Sequence, residues 1–290
     1  MFRGSMVAIV TPFKDGKIDE KGLSELIEFQ ITNGTDAIVP CGTTGESATL
    51  THEEHNRVVE ITVSTVSKRV PVIAGTGSNS TKEAISLTKH AGKLGADAAL
   101  LITPYYNKPT QEGLYQHFRK IAEEVDIPLM LYNVPGRTSI NLLPPTVARL
   151  AEIENIKGIK EATGSLQHVS EIIRLAGDKI DIISGDDFTT LPILSVGGKG
   201  VISVTANIIP KDISDMVDAF DEGDLKRANE LHYKTFPLHT AMFIETNPIP
   251  VKAALSLMDR IAYEYRLPMC PMSDGNMERL KIVMKEYGLI

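Results

Sequence analysis

With 290 residues, 42% of them apolar and 23% charged, the chain is long for one ordinary domain and of normal size for one α/β barrel with an appendage. A net charge of −7 without clustered Lys and Arg argues against a nucleic-acid partner, and no apolar run reaches the ~18 residues of a membrane span. Two cysteines, Cys41 and Cys270, make no disulfide framework, and no basic-then-apolar leader opens the chain, so a reducing cytoplasm is the expected setting.

Eight short apolar runs, many of them β-branched, follow one another: Met6–Val10, Ala37–Pro40, Val70–Ala74, Ala98–Ile102, Pro128–Tyr132, Ile156–Lys160, Ile180–Ser184 and Gly200–Val204. Neighbours start roughly 20–33 residues apart, room for a strand, a helix and two loops. Between them the spacing turns helical. Leu23, Leu26, Ile27 and Ile31 share one face, as do Val58, Val59, Thr62, Val63 and Val66. Thr51…Glu54 and Ser80…Glu83 read as capping boxes. Near-continuous apolar strands suit a parallel sheet buried on both faces. The expectation is a (β/α)8 TIM barrel over residues 1–224. An open doubly wound sheet is the alternative, weakened by the lack of Gly-x-Gly-x-x-Gly after the first strand.

Beyond residue 225 no strand is predicted. Leu225–Tyr233, Ile249–Met258 and Met277–Tyr287 carry helical spacing, so residues 225–290 are expected to form a small C-terminal helical domain. Pro248, Pro250 and the Pro268–Pro271 segment punctuate it.

In a barrel, chemistry gathers at the C-terminal strand ends. The second run ends in Cys41-Gly42-Thr43-Thr44-Gly45-Glu46, a donor-rich turn suited to a carboxylate, though its Thr hydroxyls could equally cap a helix. The fourth ends in Pro104-Tyr105-Tyr106-Asn107, and the fifth in Tyr132-Asn133-Val134-Pro135-Gly136-Arg137. The sixth ends in Lys160-Glu161, the seventh in Gly185-Asp186-Asp187 and the eighth in Thr205-Ala206-Asn207. Lys160 alone reads as a surface lysine. Burial that lowered its pKa from ~10.4 to ~7–8 would raise the free-amine fraction more than a hundredfold and make it a nucleophile. Tyr132 on the neighbouring strand can reach the amine region and shuttle protons, with Thr43 and Thr44 as relays. Arg137 at the mouth suits a carboxylate. The string His52-Glu53-Glu54-His55 lacks the four-residue spacing of a zinc helix, and no metal site is expected.

Gly42-Thr43-Thr44-Gly45-Glu46, Tyr132-Asn133-Val134-Pro135 with Arg137-Thr138, and Gly158-Ile159-Lys160-Glu161, in this order, resemble the pyruvate-dependent class I aldolases. That family holds dihydrodipicolinate synthase and N-acetylneuraminate lyase. The similarity runs through the whole chain, from Thr11-Pro12-Phe13 to Asn247-Pro248. The Gly-Thr-Thr-Gly loop, Arg137 and Tyr105-Tyr106-Asn107 bring it nearer the synthase branch.

The resemblance implies a cofactor-free lyase. Lys160 forms an imine with pyruvate, whose carboxylate rests on the N–H groups of Thr43 and Thr44 and the Thr44 hydroxyl. Tyr132 passes protons through Thr43 to Tyr106 of the partner subunit. Arg137 holds the carboxylate of aspartate-4-semialdehyde, and Gly185 and Ile202 line the amine pocket. The product would be the heterocyclic precursor of diaminopimelate and lysine. Ser47, Ala48, His52, His55, Asn79, Glu83 and Tyr105 resemble a feedback site for L-lysine at a dimer interface, although packing alone would also account for them. A homotetramer, a dimer of dimers, is implied. The rivals are an aldolase of N-acetylneuraminate or of a keto-deoxy sugar acid, and a barrel that binds a ligand without catalysis.

Overall fold

The computed structural model describes residues 2–290. Eight parallel strands alternate with helices: β1 Gly4–Ala8, β2 Ala37–Val39, β3 Ile73–Gly75, β4 Ala98–Ile102, β5 Leu129–Asn133, β6 Ile156–Glu161, β7 Asp181–Ser184 and β8 Gly200–Ser203. A two-residue hairpin, Phe13–Lys14 with Lys17–Ile18, follows β1. The order round the sheet is β2-β1-β8-β7-β6-β5-β4-β3. The ring closes between β2 and β3 through the Ile38–Val72 bridge, with Ile38 N donating to Pro71 O at 3.0 Å and Gly75 N to Pro40 O at 2.9 Å. This is the expected TIM barrel, and the closure excludes the open doubly wound sheet.

The helices are α1 Glu20–Thr32, α2 His52–Val66, α3 Thr81–Leu94, α4 Gln111–Glu124, the single turn α5 Pro135–Thr138, α6 Pro144–Leu150, α7 Leu166–Ala176, α8 Thr190–Ser195 and α9 Pro210–Asp221. Strand residues alternate between two apolar layers. Ala8, Val39, Ile73, Leu100, Met130, Ile183 and Ile202 fill the barrel interior. Val7, Ile38, Ala74, Leu101, Leu131 and Ile159 pack outward under the helices. That alternation is the period of two that a pleated strand imposes.

The C-terminal part is α10 Leu225–Ala241, α11 Ile249–Leu257 and α12 Asp274–Tyr287. Its buried residues, Leu231, Leu238, Val251, Ala254 and Leu280, belong to the same apolar cluster as Ile9, Ile38 and Val58 of the barrel. The division at residue 225 is therefore one of topology, and the core runs across it. Helix α10 extends past the expected end at Tyr233 to Ala241, with Pro237 inside it. Pro237 lacks the N–H that would bond the Tyr233 carbonyl, and Tyr233 itself is exposed. The first strand begins two residues earlier than the apolar run, because Ile9 and Val10 are buried in the loop beyond it.

Only one of the two capping boxes is complete. Thr51 and Glu54 satisfy each other's backbone N–H groups. Ser80 accepts from Glu83 N, but the Glu83 carboxylate turns to Ser78 Oγ and to His52 Nε2, the latter at 2.8 Å.

Candidate active site

A one-residue irregularity sets the phase of the lysine. Leu129 pairs with Ile156, but Met130 pairs with Gly158, so Lys157 is skipped. From there Leu131 faces Ile159 and Tyr132 faces Lys160. Without the slip Tyr132 would oppose Ile159, and the lysine would be out of phase with the phenol. On the far side Lys160 pairs with Ile183. Gly185, just past β7, leaves the lysine its room. A Cβ there would lie 3.1 Å from Lys160 Cγ and Cε and 2.8 Å from Ala162 Cβ.

Lys160 is 5% exposed, and its Nζ lies 4.4 Å from the centroid of the Tyr132 ring. Burial lowers its pKa to about 8; the Arg137 guanidinium pushes the same way, while Asp187 and Asp186 oppose. Burial likewise raises the Tyr132 phenol to about 12, despite Arg137 and a hydrogen bond to Thr43. At neutral pH Tyr132 is therefore a neutral hydroxyl that can donate and accept in the same step, and Thr43 is its next partner.

One cavity of about 200 Å³ is lined by Lys160, Tyr132, Thr43, Thr44, Arg137 and Gly185. Six of the eight residues expected at the catalytic and substrate sites thus meet on one wall. The other two do not. Ile202 is fully buried in the barrel interior with Tyr132 and Ile183, beneath the cavity. Tyr106 is 90% exposed, with φ +71°, and does not line the cavity of its own chain. A bulky residue in the left-handed region is uncommon and marks a constrained turn.

Among the other residues that line this cavity are Asp186, Phe188 and Asn247, for which no role was expected. Burial and the neighbouring Asp187 raise Asp186 to about 6. Asp187 is turned away, accepting from Ser203 Oγ and from Val204 N at 3.0 Å, and so ties the end of β7 to the end of β8. Asn247 joins Thr44 to Arg137: its Nδ2 donates to Thr44 Oγ1 at 2.9 Å, and its backbone carbonyl accepts from Arg137 Nη2 at 3.1 Å. The paired aspartates at a strand end were a readable signal. The Asn247 contact spans 203 positions and had none.

A second cavity of about 440 Å³ adjoins the first and shares Gly42, Thr43, Leu100, Tyr132, Arg137 and Asn247 with it. Ser47, Ala48, His52, His55, Glu83 and Tyr105 line it. His55 Nε2 is held by Gly75 O at 2.7 Å, its Nδ1 is buried without a partner, and burial lowers its pKa. Asn79 stands beside this group, donating to Tyr105 O at 3.2 Å. No cluster of His, Cys, Asp or Glu among the described residues could hold a metal ion, and no helix among them is long and apolar enough to cross a membrane.

The model of the dihydrodipicolinate synthetase family matches residues 1–287. The chain is 66% identical to the 4-hydroxy-tetrahydrodipicolinate synthase of Thermodesulfovibrio yellowstonii over 290 residues, covering 100% of both. The chloride-inhibited dihydrodipicolinate synthase of Acinetobacter baumannii, solved complexed with pyruvate, is 51% identical with a TM-score of 0.98 over 100% of both chains. The dihydrodipicolinate synthase of Cyanidioschyzon merolae with lysine bound is 43% identical with a TM-score of 0.97, over 100% of this chain and 99% of that one. Full-length matches of sequence and fold agree with the lysine, phenol and threonine gathered at the barrel mouth, and the chain belongs to the dihydrodipicolinate synthetase family, whose curated relatives are lyases.

Proposed function

We propose that the chain condenses pyruvate with L-aspartate-4-semialdehyde to give 4-hydroxy-tetrahydrodipicolinate, through an imine on Lys160. The observation that carries this reading is the buried Lys160 amine, lowered to about 8, over the ring of Tyr132. At neutral pH such an amine is free in about one molecule in ten, against a few in ten thousand for an exposed lysine.

Neutral Lys160 adds to the pyruvate keto carbon, and loss of water leaves the imine. The pyruvate carboxylate lies on the N–H groups of Thr43 and Thr44 and on the Thr44 hydroxyl, which Asn247 orients. A proton then leaves the methyl carbon to give the enamine, with Tyr132 and Thr43 carrying protons between the imine and the mouth. The enamine carbon attacks the aldehyde, forming the new C–C bond, while Arg137 grips the aldehyde substrate's carboxylate. That substrate's own amine finally displaces Lys160 and closes the ring. One water is released overall, and the lysine returns unchanged.

Tyr106 completes the proton path from a neighbour, so the working unit is at least a dimer; a homotetramer, a dimer of dimers, is part of the proposal. L-lysine is proposed as a feedback inhibitor in the second cavity, where Glu83 suits its ammonium groups.

The test is to incubate the protein with pyruvate, reduce with borohydride and map the adduct by mass spectrometry. The expected result is a single adduct on Lys160. An adduct elsewhere, or none, sinks the mechanism. Turnover of N-acetylneuraminate without turnover of aspartate semialdehyde would overturn the choice of substrate.

A further inference from the structure

Three segments far apart in sequence meet behind the Thr43–Thr44 loop. Thr11 Oγ1 donates to Gly45 O at 2.7 Å. Lys252 of α11 reaches Glu46 Oε1 at 2.5 Å, and both side chains are shut off from solvent. The Phe13 ring lies against two cations, with Lys252 Nζ and the Arg266 guanidinium each 4.3 Å from its centroid. Arg266 N donates to the second Glu46 oxygen at 3.3 Å, while its guanidinium grips both oxygens of Glu54 at 2.6 Å.

The loop itself is held in an unfavourable shape. Cys41 at one end and Glu46 at the other have φ +55° and +52°. Non-glycine residues persist there only when their surroundings over-determine them. A buried Lys–Glu pair is a poor source of stability, because desolvating two charges offsets their attraction, and apolar replacements of similar volume are often as stable. What such a pair supplies is direction: the Lys252 bond, together with that from the Arg266 N–H, aims one carboxylate and the backbone that bears it.

We propose that the buried Lys252–Glu46 pair positions the Gly42–Glu46 loop, so that Thr43 and Thr44 present their hydroxyls and N–H groups to the carboxylate of the keto acid. Neither residue lines the Lys160 cavity, although Glu46 lines the adjoining one, so toward the keto-acid carboxylate both act through the loop. The C-terminal helices thereby form part of the substrate site, since α11 carries Lys252 and follows directly on Asn247, which bonds Thr44. The inference rests on the reading of the cavity given under Proposed function.

The test uses two variants of the full chain. Glu46→Leu with Lys252→Met replaces the pair by apolar side chains. Glu46→Asp keeps the charge but draws the carboxylate back by one methylene. In both, the KM for pyruvate is expected to rise about tenfold or more, with the KM for the aldehyde changed less than threefold and the Tm of the double variant at or above that of the wild type. A merely structural pair would move Tm and leave the two KM values in step. A pyruvate KM within twofold of wild type in a folded variant overturns the proposal, and Glu46→Asp decides it alone if the double variant does not fold. The same preparations are trapped with borohydride. A wild type that gives no Lys160 adduct defeats the functional reading itself, whereas a wild type that gives it beside variants with unchanged pyruvate KM defeats only this inference.

Discussion

The Lys160 cavity and the His52–Glu83 cavity share a wall but are built by opposite means. In the first, the key side chains stand on adjacent strands, and the ladder Ile102–Tyr132–Lys160–Ile183 fixes their spacing before any side chain interacts. In the second, His52 and His55 come from α2, Glu83 from α3 and Tyr105 from a loop, and their polar atoms are held by few bonds. Tyr106, next to Tyr105, reaches out of the chain altogether. A ladder places a lysine and a phenol side by side within one subunit, where burial tunes both. Loops and helix ends give a group whose polar members come from separate elements.

The comparison breaks most readily at Lys160. Lys160→Ala is expected to abolish the borohydride adduct and to lower turnover on the order of a thousandfold or more. The wild type sharpens the same point through pH. Only the neutral amine attacks, and burial has lowered its pKa, so the rate of adduct formation is expected to rise ~tenfold per pH unit below about 8 and then level off. Stopped-flow or quenched-flow trapping between pH 6 and pH 9 reads this. A flat profile, or one still climbing steeply at pH 9, would show that the lysine is not held as described.

Arg137 tests whether the two carboxylate contacts proposed for the first cavity are separable. Its guanidinium bonds the Asn247 carbonyl rather than the Thr43–Thr44 loop. Arg137→Ala is therefore expected to raise the KM for the aldehyde roughly ten- to a hundredfold, the worth of lost hydrogen bonds to a charged group, while the Lys160 adduct with pyruvate still forms. Loss of the adduct in this variant would place Arg137 with the pyruvate site.

How much of this was legible in the sequence follows the same division. The eight strands and the buried lysine at the end of the sixth could be read because local apolar runs and a short motif announce them. The bulge at Lys157 could not, since nothing in Asn155–Lys160 marks which partner residue is skipped. Asn247–Thr44 and Lys252–Glu46 were invisible for another reason. Each joins positions more than 200 apart, 203 and 206, and depends on where the C-terminal helices dock. The segments themselves were noticed, since Thr11-Pro12-Phe13 and Asn247-Pro248 were parts of the resemblance. Only the fold shows them meeting at Glu46 and Thr44. Helix α10 runs on from the expected end at Tyr233 to Ala241, with Pro237 inside it.

The smallest effect belongs to the second cavity, and it tests whether the shared wall carries a coupling. Glu83 there is a carboxylate held below the usual range by its bonds to Ser78 and His52. His55 is kept neutral by burial, so it offers a ring rather than a charge. A diamino acid would meet Glu83 with an ammonium group. Glu83→Gln is accordingly expected to raise the L-lysine concentration for half inhibition about tenfold, read by titrating the condensation rate, with the Lys160 adduct still forming. Thr43 and Tyr132 belong to both walls, and if lysine changes pyruvate affinity, linkage requires pyruvate to change lysine affinity by the same factor. Calorimetric titration of lysine with and without pyruvate measures that factor, and equal lysine affinities in the two titrations would leave the two cavities adjacent but uncoupled.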